Sequence, residues 1–383
     1  MVTNTRVLDI SFLQDLFRRF YYRDSSIIPT PPSIEKHEFG YTSFDSVMIR
    51  HLSFANRGEL IARLVKVAPS DVFCSNSYYR FPMNSLQTKG WQGADLIFDI
   101  DLKDLNMPCA SKHSYCVCNR CGACYPGFVN TCSGCSESNI IRTSVPCSRC
   151  LQSLKVETAR LIEFLTKDLG ILNDSVEIFF SGNAGYHVHV DDSQFRLLDS
   201  PSRADIADYI SGNGFLIDSF GVRNFKNGFK VKYPKSGILF GWRKRIAAEL
   251  GFNQVQVSKL TKIVESHGGY NGFKEKITTT ARAMGVRIDP QVTRDIHRIF
   301  RLASTINGKS SLLKAKVEDL DIFNPFDEAC VLGDDQVQIR SKVRMKLNIK
   351  GNVFRISNTV ERLPAYVAAY LISKRLADFM KYF

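Results

Sequence analysis

No stretch of this chain is apolar for long enough to cross a membrane. Ala365 to Ile372 is among the longest runs, whereas a spanning helix needs ~20 residues. A long apolar segment is also missing near the N-terminus, where Arg6 and Asp9 stand, so no secretory leader is expected. Acidic residues are in the minority. Against 51 Lys and Arg there are 38 Asp and Glu, a formal charge of +13, which points to an acidic partner, nucleic acid first among them. No internal repeat and no low-complexity tract interrupts the sequence. Cysteine is nearly absent from most of it, because only Cys74 and Cys330 lie outside one short segment. The expectation is a soluble, cytoplasmic protein. Its 383 residues, 44% of them hydrophobic, suffice for two or more domains or for one domain with insertions.

Within that frame one stretch stands out: Ala94-Asp95-Leu96-Ile97-Phe98-Asp99-Ile100-Asp101-Leu102. Read with period two, Leu96, Phe98, Ile100 and Leu102 share one face, and Asp95, Ile97, Asp99 and Asp101 share the other. Alternation this regular predicts a strand. Side chains at i and i+2 of a strand lie ~6.5 Å apart, so Asp99 and Asp101 can converge on one point. Unshielded they repel. Hard divalent cations such as Mg²⁺ remove that repulsion, and a pair of them ~4 Å apart can activate a hydroxyl and stabilise a leaving pyrophosphate. The alternative is an edge strand with solvated acids.

Nine of the 11 cysteines then follow within residues 109–150. Such crowding in an intracellular chain favours metal over disulfides. Cys118-x2-Cys121 and Cys132-x2-Cys135 flank a loop of ten residues, the pattern of a zinc ribbon, because each knuckle brings two thiolates to one tetrahedral ion. Around them stand Cys109 and His113 on one side and Cys147 and Cys150 on the other. The simplest partition is two nested zinc sites: Cys109, His113, Cys147 and Cys150 outside, Cys118, Cys121, Cys132 and Cys135 inside. Cys116 and Cys124 are left over and can exchange into either. Four-ligand sites of this kind stabilise folds.

The remaining chain reads as mixed α/β. Apolar residues at 8, 12, 13, 16, 17 and 20 predict an amphipathic helix, and 58–67 and 151–169 predict two more. Residues 38–50 suggest a hairpin. Val176 to Phe180 and Tyr186 to Val190 are strands joined by the turn Ser181-Gly182-Asn183-Ala184-Gly185. His187 and His189 share a face of the second strand. The pair suits a metal, the glycine turn beside it equally suits a phosphate, and two buried histidines remain a third reading. Ser200-Pro201 predicts a helix capped by Ser200. From there to about residue 283 the texture is helical and basic. Lys226, Lys230, Lys232, Lys235, Arg243, Lys244 and Arg245 make either a solvated face or a nucleic-acid surface. Asp289 falls at a strand end. Residues 292–302 predict a helix carrying Arg294, Arg298 and Arg301, and Asn307-Gly308-Lys309 a turn with a cation. A strand pair over 345–356, bent at Gly351, and a last helix from Pro364 towards Phe379 complete the chain.

In that order, Glu38-Phe39-Gly40, the Asp99/Asp101 strand, the cysteine knuckle, Ser181-Gly182-x-x-Gly185-Tyr186-His187-Val188-His189-Val190, Asp289 and Gly308-Lys309 resemble the catalytic small subunit of archaeal and eukaryotic DNA primase, the archaeal type most closely. The resemblance implies an archaeo-eukaryotic primase fold with an RRM-like catalytic sheet, a zinc-binding insertion and a helical insertion. It implies that Asp99, Asp101 and Asp289 bind Mg²⁺ or Mn²⁺. Ser181, Gly182 and His187 would then contact the nucleotide, with Arg50, Arg301 and Lys309 as nearby cations. Core segments would be 1–108, 151–199 and 284–383, the zinc element 109–150 and the helical insertion 200–283. Implied partners are an iron–sulfur large subunit, single-stranded DNA template and nucleoside triphosphates.

Three positions depart from the family pattern. The turn holds Asn183-Ala184 where many archaeal relatives have an Arg, and Asn307 stands where a His is usual. Both changes remove a phosphate-binding group. The inner ribbon, Cys118 to Cys135, looks inserted into a one-zinc knuckle. The activity expected is template-directed primer synthesis by two-metal nucleotidyl transfer. Its rivals are a repair or plasmid-type primase–polymerase favouring deoxynucleotides and a non-catalytic, zinc-containing nucleic-acid-binding subunit.

Overall fold

Leu96–Asp101 forms the strand expected from its alternation and lies at one edge of a four-stranded antiparallel sheet. The order is Lys316–Val317, Val176–Phe180, Gly185–Val190, Leu96–Asp101. The computed structural model describes residues 2–214, 217–226, 228–232, 240–251 and 257–383. Pairing of Tyr186 with Ile100, Val188 with Phe98 and Val190 with Leu96 puts six apolar side chains on one face. That face is sealed by Leu154, Leu161 and Phe164 of the helical stretch that begins at Ser148. Each such side chain contributes ~1.5–3 kcal/mol of burial. The helix is therefore the keel on which the sheet sits.

The opposite face carries His187, His189, Ile97, Asp99 and Asp101. Its inner part is covered by a second antiparallel sheet, ordered Ile299–Arg301, Asp71–Ser75, Phe39–Thr42, Met48–Leu52. Phe300 of that sheet stands edge-on to both histidine rings, with centroids 6.1 and 6.3 Å away. Phe300, Val292 and Ile97 form a small apolar plug. The acidic face is thus closed at Ile97 and opens towards Asp101.

The cysteine-rich segment carries its own three-stranded sheet, Cys124–Pro126, Ser114–Cys118 and Ile140–Ser144. At the C-terminal end, Gln336–Ser341 lies between Val360–Pro364 and Ala377–Tyr382. The helix Val2–Arg23 packs there, with Phe12 stacked on Phe379 at 4.4 Å.

Several local expectations are corrected. The Arg-rich segment is a helix only over Pro290–Arg294, and Ile299–Arg301 is a strand. Pairing with Asp71–Ser75 buries Phe300 and overrides the helical spacing of the arginines. Asp289 is the cap of that short helix and not a strand end, its side chain accepting from Gln291 N. The last helix stops at Ser373, because Arg375 takes a left-handed φ of 61° and Ala377–Tyr382 pairs as a strand. The helix Ser200–Ser211 is capped by Asp199, not Ser200. The basic insertion is not wholly helical, since Val222–Phe225 and Gly228–Val231 form a hairpin. Within it Arg245 faces inward, paired with Asp168 at 3.0 Å and Glu163 at 3.2 Å over the ring of Phe164. Lys226, Lys230 and Lys232 are exposed, and Lys235 lies outside the described residues.

Candidate active site

Two chain segments deliver the three acids. Asp99 and Asp101 come from the edge strand. Asp289 is tied to it by the backbone, its N–H donating to Asp99 O at 3.0 Å. Burial lifts the Asp99 carboxyl to about 7, and the nearby Asp101 and Asp289 add to the rise against Lys103 and Arg298. A half-hidden cluster of three acids with so little compensating charge is a site that a divalent cation would relieve. The donor set of hard oxygens fits Mg²⁺ or Mn²⁺. Lys103, 3.4 Å from Asp101, is the one salt-bridge partner Asp101 has among the described residues.

Opposite Asp99 on the next strand is His187, its Nε2 3.4 Å from Asp99 Oδ1. Burial, followed by Lys314, Arg301 and Arg298, holds His187 well below the ordinary histidine value, so the ring is neutral at pH 7. Its Nδ1 is buried and has no hydrogen-bond partner. His189 has a different neighbour, Lys314 Nζ at 3.2 Å. The two ring centroids stand 6.4 Å apart, and each ring has its own neighbour.

The Ser181–Gly185 turn is clasped to the turn at Asn307. Asn307 Nδ2 donates to Ser181 O at 3.2 Å, Ser310 Oγ donates to Gly182 O, and Lys309 N donates to Asn307 Oδ1 at 2.9 Å. Gly182 has a φ of 85°, and a Cβ there would stand 2.8 Å from Asn307 Cβ, so only glycine permits the clasp. Gly185 is required for a similar reason, since its Cβ would meet Ile100 O at 2.5 Å. Asn307 is thus a brace. Gly308 N donates to Asp71 Oδ1 at 3.0 Å, and the same carboxylate holds Arg301.

A cleft of about 1480 Å³ runs from these turns to the cysteine-rich segment. Its lining includes Asp101, Asn183, Ala184, Arg301 and Lys309 as well as His113, Cys118, Cys121 and Cys150. Asp99 and His187 lie one residue pair further along the strand face from Asp101 and Gly185. Arg50 is not brought to the cleft. It is fixed on buried Glu38 at 2.9 Å and donates to His297 O. Glu38 also holds Lys89 at 3.0 Å.

Both cysteine groups assemble as the spacing predicts. The ligand atoms of Cys109, His113, Cys147 and Cys150 lie within 4.8 Å of one another, as do those of Cys118, Cys121, Cys132 and Cys135. Thiolates around one tetrahedral zinc stand ~3.8 Å apart at ~2.3 Å from the ion. Here Cys109 to Cys150 is 3.5 Å, Cys147 to Cys150 is 3.8 Å and Cys118 to Cys135 is 3.6 Å. His113 Nε2 is buried without a hydrogen-bond partner, which suits a metal-ligand nitrogen. Zinc fits both sets. Cys116 is in neither group; its Sγ lies 3.4 Å from Gly127 O and 3.4 Å from Val129 N. Burial pushes the Cys124 thiol up to about 11.

Sequence reading missed Asp71, which anchors both Arg301 and Gly308, and Lys374, whose Nζ donates to Asn183 Oδ1. Nothing near either residue in the chain signals its partner.

A family model described as DNA primase small subunit matches residues 142–319. The chain is 36% identical over 370 residues to the DNA primase small subunit PriS of Nitrosopumilus maritimus (strain SCM1), which spans 96% of this chain and 98% of that one. Against the protein of that name from Cenarchaeum symbiosum (strain A), identity is 37% over 97% of this chain and 98% of the other. Against that of Thermoplasma volcanium it is 32%, over 96% and 97%. With such identity along nearly the whole of both sequences, this chain belongs to the DNA primase small subunit family.

Proposed function

We infer that this chain is the catalytic subunit of a DNA primase, making short RNA primers on single-stranded DNA, and that Asp99, Asp101 and Asp289 are its metal-binding carboxylates. The observation that carries this reading is the grouping of three acids, one lifted to about 7, of which Asp101 lines the cleft that the two clasped glycine turns border. Bound divalent cations there would lower the pKa of the attacking 3′-hydroxyl and neutralise the departing pyrophosphate. Ser181, Gly182 and His187 would hold the incoming triphosphate, with Lys309 as the cation of the second turn. Arg301 is locked on Asp71 at the cleft wall and contributes field more than contact. Arg50, fixed on Glu38, is read as a brace of the second sheet.

The four-stranded antiparallel sheet with a helix across its back supports an RRM-like reading. Residues 109–150 would be a zinc element with two ions, and 200–283 an insertion. A small subunit implies a large one, whose iron–sulfur cluster would be its own, since seven of the eleven cysteines here fall in the two four-ligand groups. No helix among the described residues is long and apolar enough to cross a membrane, in keeping with a place in cytoplasmic replication machinery.

The test is primer synthesis on unprimed single-stranded DNA with Mg²⁺ or Mn²⁺, comparing ribonucleotides with deoxynucleotides, with and without a large subunit. Ribonucleotide products are expected. Products made from deoxynucleotides alone would favour the primase–polymerase rival, and no product in any arm the non-catalytic one.

A further inference from the structure

The Ser181–Gly185 turn carries no cation of its own, yet a cation reaches it from the far end of the chain. Lys374 follows the helix Ala365–Ser373, and its Nζ donates to the side-chain oxygen of Asn183. This position is built. Ser373 Oγ is 2.6 Å from Ser311 Oγ, and Ser311 Oγ also donates to Ala369 O at 3.2 Å, so the helix end is fastened to the turn that bears Lys309. Lys374 is only 3% exposed, and its Nζ stands 5.7 Å from the centroid of the Tyr370 ring.

Lys374, Lys309, Asn183 and Ala184 all line the cleft. Burying an ammonium beside a second ammonium is unfavourable, and the charged groups that act on Lys374 are Lys309, which opposes its charge, and Asp101, which favours it. Burial and then Lys309 bring Lys374 down to about 7. Asn183 offers it a neutral oxygen only. Lys374 and Lys309 share the cleft wall with one carboxylate, itself assigned to metal, so the place gains stability when a polyanion arrives.

We propose that Lys374 is a second phosphate-binding cation of the nucleotide site, acting with Lys309 on the triphosphate of the incoming nucleotide. The proposal rests on the nucleotide reading of the Ser181–Gly185 turn. Its charge takes the place of the cation that Asn183 and Ala184 do not supply.

The experiment is equilibrium titration with ATP and Mg²⁺, together with KM and kcat in primer synthesis. Lys374→Gln keeps a donor for Asn183 and removes the charge; Lys374→Met removes both. A lost charge-assisted phosphate contact weakens binding roughly ten- to a hundredfold. Both variants are therefore expected to bind ATP at least about tenfold more weakly, with KM raised and kcat little changed. Adding Ala184→Arg should restore binding in the Lys374→Gln background while adding little to the parent, because one cation replaces the other. Wild-type binding in Lys374→Gln with weakened binding in Lys374→Met would make Lys374 a structural brace and overturn the proposal. Wild-type binding in both, with Lys309→Met still impaired, would overturn it and leave the turn reading standing. If Lys309→Met and both Lys374 variants all bind normally, the turn reading falls and the proposal with it. Should Lys374→Gln lose its cooperative melt, the Lys374→Met and Ala184→Arg pair carries the same comparison.

Discussion

His187 faces Asp99 across an antiparallel strand pair, with its Nε2 3.4 Å from Asp99 Oδ1. The contact joins the carboxylate cluster to the glycine turn two residues earlier in the chain. His189, on the same face, instead contacts Lys314 in the space between the two sheets. One histidine thus borders the acids and the other braces a buried amine.

The two should respond differently to truncation. His187→Ala is expected to raise the KM for nucleotide about tenfold or more, the order of one lost phosphate contact. His189→Ala should leave KM near normal but lower Tm, because Lys314, which burial and then Arg301 bring down to about 7, loses its ring partner. Equal damage to KM from both, with loss of bound metal, would restore the paired-metal reading.

The Asp99 carboxyl sets a pH dependence for the metal-free protein. Its folded value of about 7 lies above the ~4 of an unfolded aspartate, so the folded state holds the extra proton between those values. Stability measured without added Mg²⁺ or Mn²⁺ should fall as pH rises through that window and level off above it. Asp99→Asn should flatten the slope. Mg²⁺ should raise Tm more at pH 8 than at pH 5; an equal rise at both would contradict the cluster as described.

Elemental analysis should find two zinc ions per chain. Cys132→Ser with Cys135→Ser should remove one and leave the catalytic sheet folded. Cys147→Ser with Cys150→Ser should cost more stability, because Cys147 is the residue from which the keel helix Ser148–Glu163 starts and Cys150 lies within it. A single zinc in the intact protein would contradict the nested sites.

What the sequence revealed was local. The alternation around Asp99 and the Cys-x2-Cys knuckles are complete within short windows, and both appear as read. So do the strands that flank the Ser181–Gly185 turn. Arg294, Arg298 and Arg301 misled because their helical spacing is real while their fate is decided by Asp71–Ser75, more than two hundred residues earlier. Ser200 misled because Asp199, one residue before it, makes the cap. The helix expected from Pro364 towards Phe379 ran too far because nothing in the residue type of Arg375 signals its left-handed φ. Asn307 read as a lost phosphate ligand, whereas its side chain spans both turns. Lys374 was not legible at all, since its meaning is the contact with Asn183.

The most direct test is Asp101→Asn in primer synthesis on unprimed single-stranded DNA. The side chain is isosteric and partly exposed at the mouth of the cleft, so circular dichroism and Tm should stay close to the parent's. Removing one metal-binding charge should lower primer synthesis by roughly a thousandfold or more, in Mg²⁺ and Mn²⁺ alike. Near-normal synthesis by a folded Asp101→Asn protein would contradict the assignment of the acid cluster as the catalytic metal site.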